Sequence, residues 1–169
     1  IDELKQILIK NRGQVAAVVM EPIRNIAPLP GFLAAVKKLA AAHGAVFIFD
    51  EVSSGFRCYT SGMHMHYKVT PDMAVFSKAM GNGFPIAAII GKGNVMEAAE
   101  ESFISSTMWT ERVGFVAALA TIKKHRQKNV GAHLVRMGRM VQDGWQQAAK
   151  KAGLSIHVGG IEPLSHFTF

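Results

Sequence analysis

Three short apolar runs in this 169-residue chain end in groups that can do chemistry. Residues 15–20 run into Glu21, residues 45–49 into Asp50 and Glu51, and residues 73–76 into Ser77 and Lys78. A carboxylate directly after Val46-Phe47-Ile48-Phe49 is partly desolvated, which is costly unless a cation faces it. An amine directly after Met73-Ala74-Val75-Phe76-Ser77 meets the same problem, and desolvation favours its neutral, nucleophilic form. On residue types alone two readings stand side by side. Asp50 and Lys78 form an ion pair, or Lys78 is a reactive amine that makes a Schiff base with a carbonyl.

The elements that must position these groups follow from the hydrophobic pattern. Strands are expected at 15–20, 45–49, 73–76 and 86–90, each a near-continuous apolar run of the kind buried on both faces. Helical spacing covers residues 1–10. It returns at Phe32, Leu33, Val36, Leu39 and Ala40, with Lys37 and Lys38 on the other face and Gly44 as the left-handed stop. Further helices are expected at 95–101 with Asn94 as cap, at about 112–124 with Thr110 as a candidate cap, and at about 132–152 before Gly153. Strands at 154–158 and 165–169 open another unit. The order predicts an α/β fold with a mainly parallel sheet flanked by helices, whose ligands bind beyond the carboxyl ends of the strands. The chain opens inside a helical pattern and closes inside an alternating run, as expected of a piece of a longer protein.

Composition excludes several classes. With 49% hydrophobic and 18% charged residues, the chain can bury a real core and is not a disordered tail. Its apolar runs are far shorter than the roughly 20 residues of a membrane-spanning helix. The single Cys58 rules out an intrachain disulfide framework and fits a cytoplasmic protein. The net charge of +7 is concentrated between residues 112 and 151, where nine basic residues meet one acid, Asp143. A basic helical face can bind nucleic acid or an acidic partner. Without an accompanying nucleic-acid motif it reads as a solvated face, and no nucleic-acid partner is expected. His64-Met65-His66 brings too few ligands for a metal site. Gly81-Asn82-Gly83 reads as a tight turn beside Lys78, not as a phosphate-cradling loop.

Residues 46–57 read Val-Phe-Ile-Phe-Asp-Glu-Val-Ser-Ser-Gly-Phe-Arg, and residues 71–83 read Pro-Asp-Met-Ala-Val-Phe-Ser-Lys-Ala-Met-Gly-Asn-Gly. This pair of segments resembles the class III aminotransferases, pyridoxal-phosphate enzymes of fold type I that include ornithine and 4-aminobutyrate aminotransferases. The nearest flavour is the branch related to glutamate-1-semialdehyde aminomutase. The resemblance extends over essentially the whole chain. It implies that residues 1–128 are the C-terminal half of the cofactor-binding large domain and that 129–169 begin a small α+β C-terminal domain.

The resemblance also implies roles. Lys78 would form the Schiff base with pyridoxal 5'-phosphate and, when freed, act as general base. Asp50 would partner the pyridinium nitrogen and keep the ring able to accept electrons. Val52 would pack on a ring face. Thr107 would donate to the cofactor phosphate of a neighbouring subunit, which requires a homodimer with a shared site. The family's Gly-Asn-Pro after that Thr is replaced here by Thr110-Glu111-Arg112. Glu21 would organise its loop. Arg24 stands where a substrate carboxylate could be held, and Arg57 suits a structural salt bridge as well as a substrate role. The implied substrates are a small-molecule amino donor and a carbonyl acceptor, with an aminomutase acting on an amino-aldehyde as the alternative. Two other readings stand behind these: a cofactor-free Schiff-base lyase, and a noncatalytic fragment binding through its basic helices. The family's upstream Gly/Ser phosphate-binding segment is not in this chain, so this piece alone is expected to be weakly active or inactive.

Overall fold

The computed structural model describes residues 1–105, 107 and 111–169. Helix α1 (Asp2–Lys10) leads to strand β1 (Ala17–Met20), helix α2 (Phe32–Ala42) and strand β2 (Val46–Asp50). After a long turn and the short α3 (His64–Tyr67) come β3 (Met73–Phe76), a single 3-10 turn (Lys78–Met80) and β4 (Ala88–Gly91). Then follow α4 (Gly93–Met96), α5 (Val113–Gln127), α6 (Val130–Lys151), β5 (His157–Gly159) and β6 (His166–Thr168). The first sheet has the order β1-β2-β3-β4. Its first three strands are parallel and β4 runs antiparallel to β3. The mainly parallel α/β layering expected from the sequence is therefore present, with an antiparallel strand at one edge.

Strand parity decides which side chains enter the core. Phe47 and Phe49 lie on one face of β2, fully buried, with ring centroids 4.8 Å apart in an edge-to-face pair. They meet Leu33, Val36 and Ala40 of α2, which recur at helical spacing. Removing rings of this size from water stabilises the layer by roughly 1.5–3 kcal/mol each. The chain leaves α2 through Gly44 at φ +72°, the left-handed stop that a Cβ would strain. A second cluster on the same face joins Ala74 and Phe76 of β3 to Phe56, Met80 and Ala118 of α5. On the opposite face, Val19 and Ile89 are more than half exposed. Asp50 lies on that open face, because its register partner is Val75 and that of Val75 is Ile89.

Asp72 fastens the start of β3. Its carboxylate accepts from the Phe47 amide at 2.9 Å and from Lys92 Nζ at 2.7 Å, tying β2, β3 and the end of β4 together. Burial pushes its carboxyl up, but these hydrogen bonds outweigh that and hold it below its ordinary 3.8.

One expectation needs correcting. Asn94 does not cap a helix over 95–101. Lys92 is the N-cap of α4, which gives way to a 3-10 turn at Glu97–Ala99. Glu111 serves the start of α5, its Oε1 accepting from the Val113 amide at 2.9 Å; Thr110, the candidate cap, lies outside the described residues. Asn129, at φ +48°, separates α5 from α6. The α6 helix carries the β5–β6 hairpin segment, with Arg139 paired to Glu162 at 3.1 Å.

Candidate active site

The carboxyl ends of β2 and β3 lie side by side, and the ladder between them extends one step further through Glu51 N–H donating to the Val75 carbonyl at 2.9 Å. Two adjacent acids stand at the end of β2, Asp50 as its last residue and Glu51 just after it, and the chain turns so that they part. Asp50 stays half-buried, with Oδ1 accepting from the Val52 amide at 2.9 Å in a tight Asx turn. Glu51 turns inward and is completely buried.

Glu51 is satisfied by donors on every side. Its Oε2 accepts from Ser54 Oγ at 2.5 Å and from the Met63 amide at 2.9 Å. Its Oε1 accepts from the His64 amide at 2.9 Å and lies 3.0 Å from His64 Nδ1. An ionised carboxylate there makes Nδ1 the protonated nitrogen of that ring. Gly62 is required beside it, since a Cβ at that position would meet Glu51 Oε1 at 2.2 Å. The carboxylate thus pins both ends of the turn between β2 and α3. A buried charge paid for by four donors is a feature that the residue types alone did not separate from Asp50 next door. The signal was present in the sequence as Ser54 three residues on and in the tandem of acids, one of which strand geometry must turn inward.

Lys78 follows β3 with φ +39°, a left-handed backbone that costs a side-chain-bearing residue about 1–2 kcal/mol. The surroundings enforce it. Ser77 Oγ donates to the Ile86 carbonyl at 2.7 Å, and the Lys78 carbonyl accepts from the Gly81 and Asn82 amides, each at 3.2 Å. The side chain is exposed in this chain, where desolvation is expected for an amine at a strand end. Its Nζ donates to Ser53 Oγ at 2.7 Å. Among the described residues no ion pair joins Lys78 to Asp50. The amine instead reaches the turn that Asp50 begins, in which Val52 is half-buried.

The remaining candidates are placed as follows. Thr107 is exposed in the segment before α5, and no hydrogen bond links it to Asp50, Val52 or Lys78. Arg24 is exposed and pairs with Glu21 at 3.0 Å, while Glu21 Oε2 has no partner among the described residues. Arg57 makes no ion pair among the described residues; its Nε donates to the Ser53 carbonyl at 3.3 Å. His64 and His66 diverge, the first to Glu51 and the second to Tyr59 at 2.9 Å.

The donor set at the strand ends suits an aromatic aldehyde carrying a ring nitrogen. Such a group would find a carboxylate in Asp50 and an amine in Lys78. Asp50 and Lys78 are not spent on each other, so both remain available to such a group.

The family model described as aminotransferase class-III matches residues 1–160. The 3-aminobutyryl-CoA aminotransferase of Cloacimonas acidaminovorans is 34% identical over 176 aligned positions, covering 100% of this chain and 42% of that protein. The glutamate-1-semialdehyde 2,1-aminomutase of Pelodictyon phaeoclathratiforme is 35% identical, covering 100% of this chain and 41% of that protein. An omega-transaminase from Sphaerobacter thermophilus superposes with a TM-score of 0.86 at 28% identity, over 99% of this chain and 40% of that one. The FumI protein of Sphingopyxis sp. MTA144, solved in its PLP internal aldimine form, superposes with a TM-score of 0.92 at 24% identity, over 98% of this chain and 42% of that one, a likeness of fold. The chain spans about two fifths of the length of these relatives. The fold is that of the PLP-dependent transaminases, fold type I, in part.

Proposed function

The chain belongs to the class-III aminotransferase family, and from that premise we propose that it carries the Schiff-base lysine and its partner acid in a pyridoxal-phosphate-dependent enzyme that moves an amino group between an amine or amino acid and a carbonyl compound. The observation that carries this reading is the pair of adjacent strand ends, where Asp50 closes β2 and Lys78 follows β3 and reaches Ser53, with no ion pair between Asp50 and Lys78 among the described residues. Pyridoxal phosphate, when bound, supplies an aldehyde and a conjugated ring that accepts the electron pair released at the substrate carbon.

The protein's own groups do the rest. Lys78 binds the cofactor through Nζ and, when free, takes and returns the proton at that carbon as general base. Asp50 holds the ring nitrogen by a charge-assisted hydrogen bond, which orients the ring and keeps it an electron acceptor. Val52 excludes water from one ring face. Thr107 donates to the phosphate of a neighbouring subunit's cofactor, so the working unit is a homodimer. Residues 1–128 belong to the large domain and 129–169 begin the small one. The compartment is the cytoplasm. No described helix is long and apolar enough to cross a membrane.

Borohydride reduction of the full-length protein followed by peptide mapping tests the reading. The label is expected on Lys78, and Lys78→Ala is expected to lose the visible cofactor band. Label on another lysine overturns it. Relatives of both reaction types match at nearly equal identity. The aminomutase reading shares the same residues and differs only in whether the amino group returns to the same carbon skeleton. Product analysis with and without an added carbonyl acceptor separates the two.

A further inference from the structure

Ser53 has no role in the reading above, yet it is the residue that Lys78 touches. The hydroxyl lies 2.7 Å from Nζ and accepts a hydrogen bond from it. Its backbone is held on three sides. Before it, the Val52 amide is fixed to Asp50 Oδ1 at 2.9 Å. After it, Ser54 Oγ is fixed to the fully buried Glu51 at 2.5 Å. Its own carbonyl accepts from Arg57 Nε at 3.3 Å. A hydroxyl on so constrained a turn is a fixed point, whereas the side chain it meets is a flexible four-carbon stem that loses up to about 2 kcal/mol of rotamer entropy when held still.

We propose that Ser53 is a positioning residue for the Lys78 amine: its hydroxyl takes one N–H of Nζ and so sets the direction in which the nitrogen lone pair meets an aldehyde. The inference rests on the proposed role of Lys78. Capture joins Nζ to the aldehyde carbon, and the carbonyl oxygen leaves as one water with the two hydrogens of the neutral amine. Ser53 takes no part in that balance. It restricts where the amine waits, which is the ordinary way that a held group gains rate over a free one.

The test uses the full-length protein freed of cofactor. Pyridoxal phosphate is added and growth of the visible band is followed in wild type, Ser53→Ala and Ser53→Thr. Binding of pyridoxamine phosphate, which has an amine where the aldehyde was and makes no bond to Lys78, is measured alongside. Loss of one hydrogen bond of ordinary net strength slows capture by about 2- to 12-fold in Ser53→Ala. Pyridoxamine phosphate affinity stays within twofold of wild type, and Ser53→Thr restores the capture rate. Wild-type capture by Ser53→Ala overturns the proposal. A parallel loss of pyridoxamine phosphate affinity also overturns it, since Ser53 would then act on the cofactor or on the scaffold. A band that persists in Lys78→Ala instead refutes the assignment of Lys78, so the two failures are distinguishable.

Discussion

Replacing Glu51 by glutamine turns one carboxylate oxygen into an NH2 group where the surroundings donate. If the NH2 takes the Oε2 position, it faces the Met63 amide and the Ser54 hydroxyl. If it takes the Oε1 position, it faces the His64 amide and His64 Nδ1. The hydroxyl can rotate and the imidazole can change tautomer, but a backbone N–H can do neither. Either placement therefore strands one backbone amide, the buried one of Met63 or the part-buried one of His64. A buried donor without a partner costs about 1–3 kcal/mol, and the surviving bonds also lose their charge assistance. If local opening of the turn governs exchange, the amides of Met63 and His64 should exchange with deuterium roughly 5- to 150-fold faster in Glu51→Gln than in wild type. Hydrogen exchange read by mass spectrometry on the peptide spanning residues 60–66 measures this directly. Amides on β1 should be unaffected, because the carboxylate touches none of them. An unchanged exchange rate at 63 and 64 would refute the reasoning that this acid holds the turn in place.

Two further outcomes follow from titratable groups away from the strand ends. His125 is buried, with Nε2 donating to the Phe56 carbonyl at 3.2 Å and Nδ1 accepting from Thr60 Oγ1 at 2.8 Å. Burial lowers its pKa below 6.5, outweighing the opposing effect of the Phe56 carbonyl. Below pH 6.5 the unfolded chain therefore binds this proton before the folded one does, and stability falls as pH falls through that window. Melting temperatures between pH 7.5 and 5.5 should decline more steeply in wild type than in His125→Gln, and equal slopes would contradict the assignment. Cys58 is pushed up from 9.0 to about 11, first by burial and then by Glu162. At pH 8 its thiolate is scarcer by about two orders of magnitude than that of an ordinary cysteine, so iodoacetamide should label it about 100-fold more slowly than a free peptide thiol. Labelling at the peptide rate would mean that the thiol is not in this environment.

Periodicity was enough to find the layers. The core of α2 is Leu33, Val36 and Ala40, three of the residues that follow from helical spacing and apolar type, and β3 spans the four residues expected. These features are legible because they depend on local spacing and on which side chains avoid water. The orientation of β4 was not, since whether an edge strand returns parallel or antiparallel depends on the path of the connecting chain and not on the strand's own residues.

The same division runs through the candidate site. Residue order alone set an acid and an amine at the ends of two apolar strands, and the strand-end motifs named them as Asp50 and Lys78. Folding decided their company. Of two neighbouring acids it buried Glu51 among four donors and left Asp50 half open. It carried the amine of Lys78 to Ser53 instead of to Asp50. The physical reason is that a hydrogen bond is settled by angstroms and angles. Those are fixed by the strained turn at Lys78 and the clamped turn after Asp50, two segments far apart in the chain that meet only because β2 and β3 pair side by side.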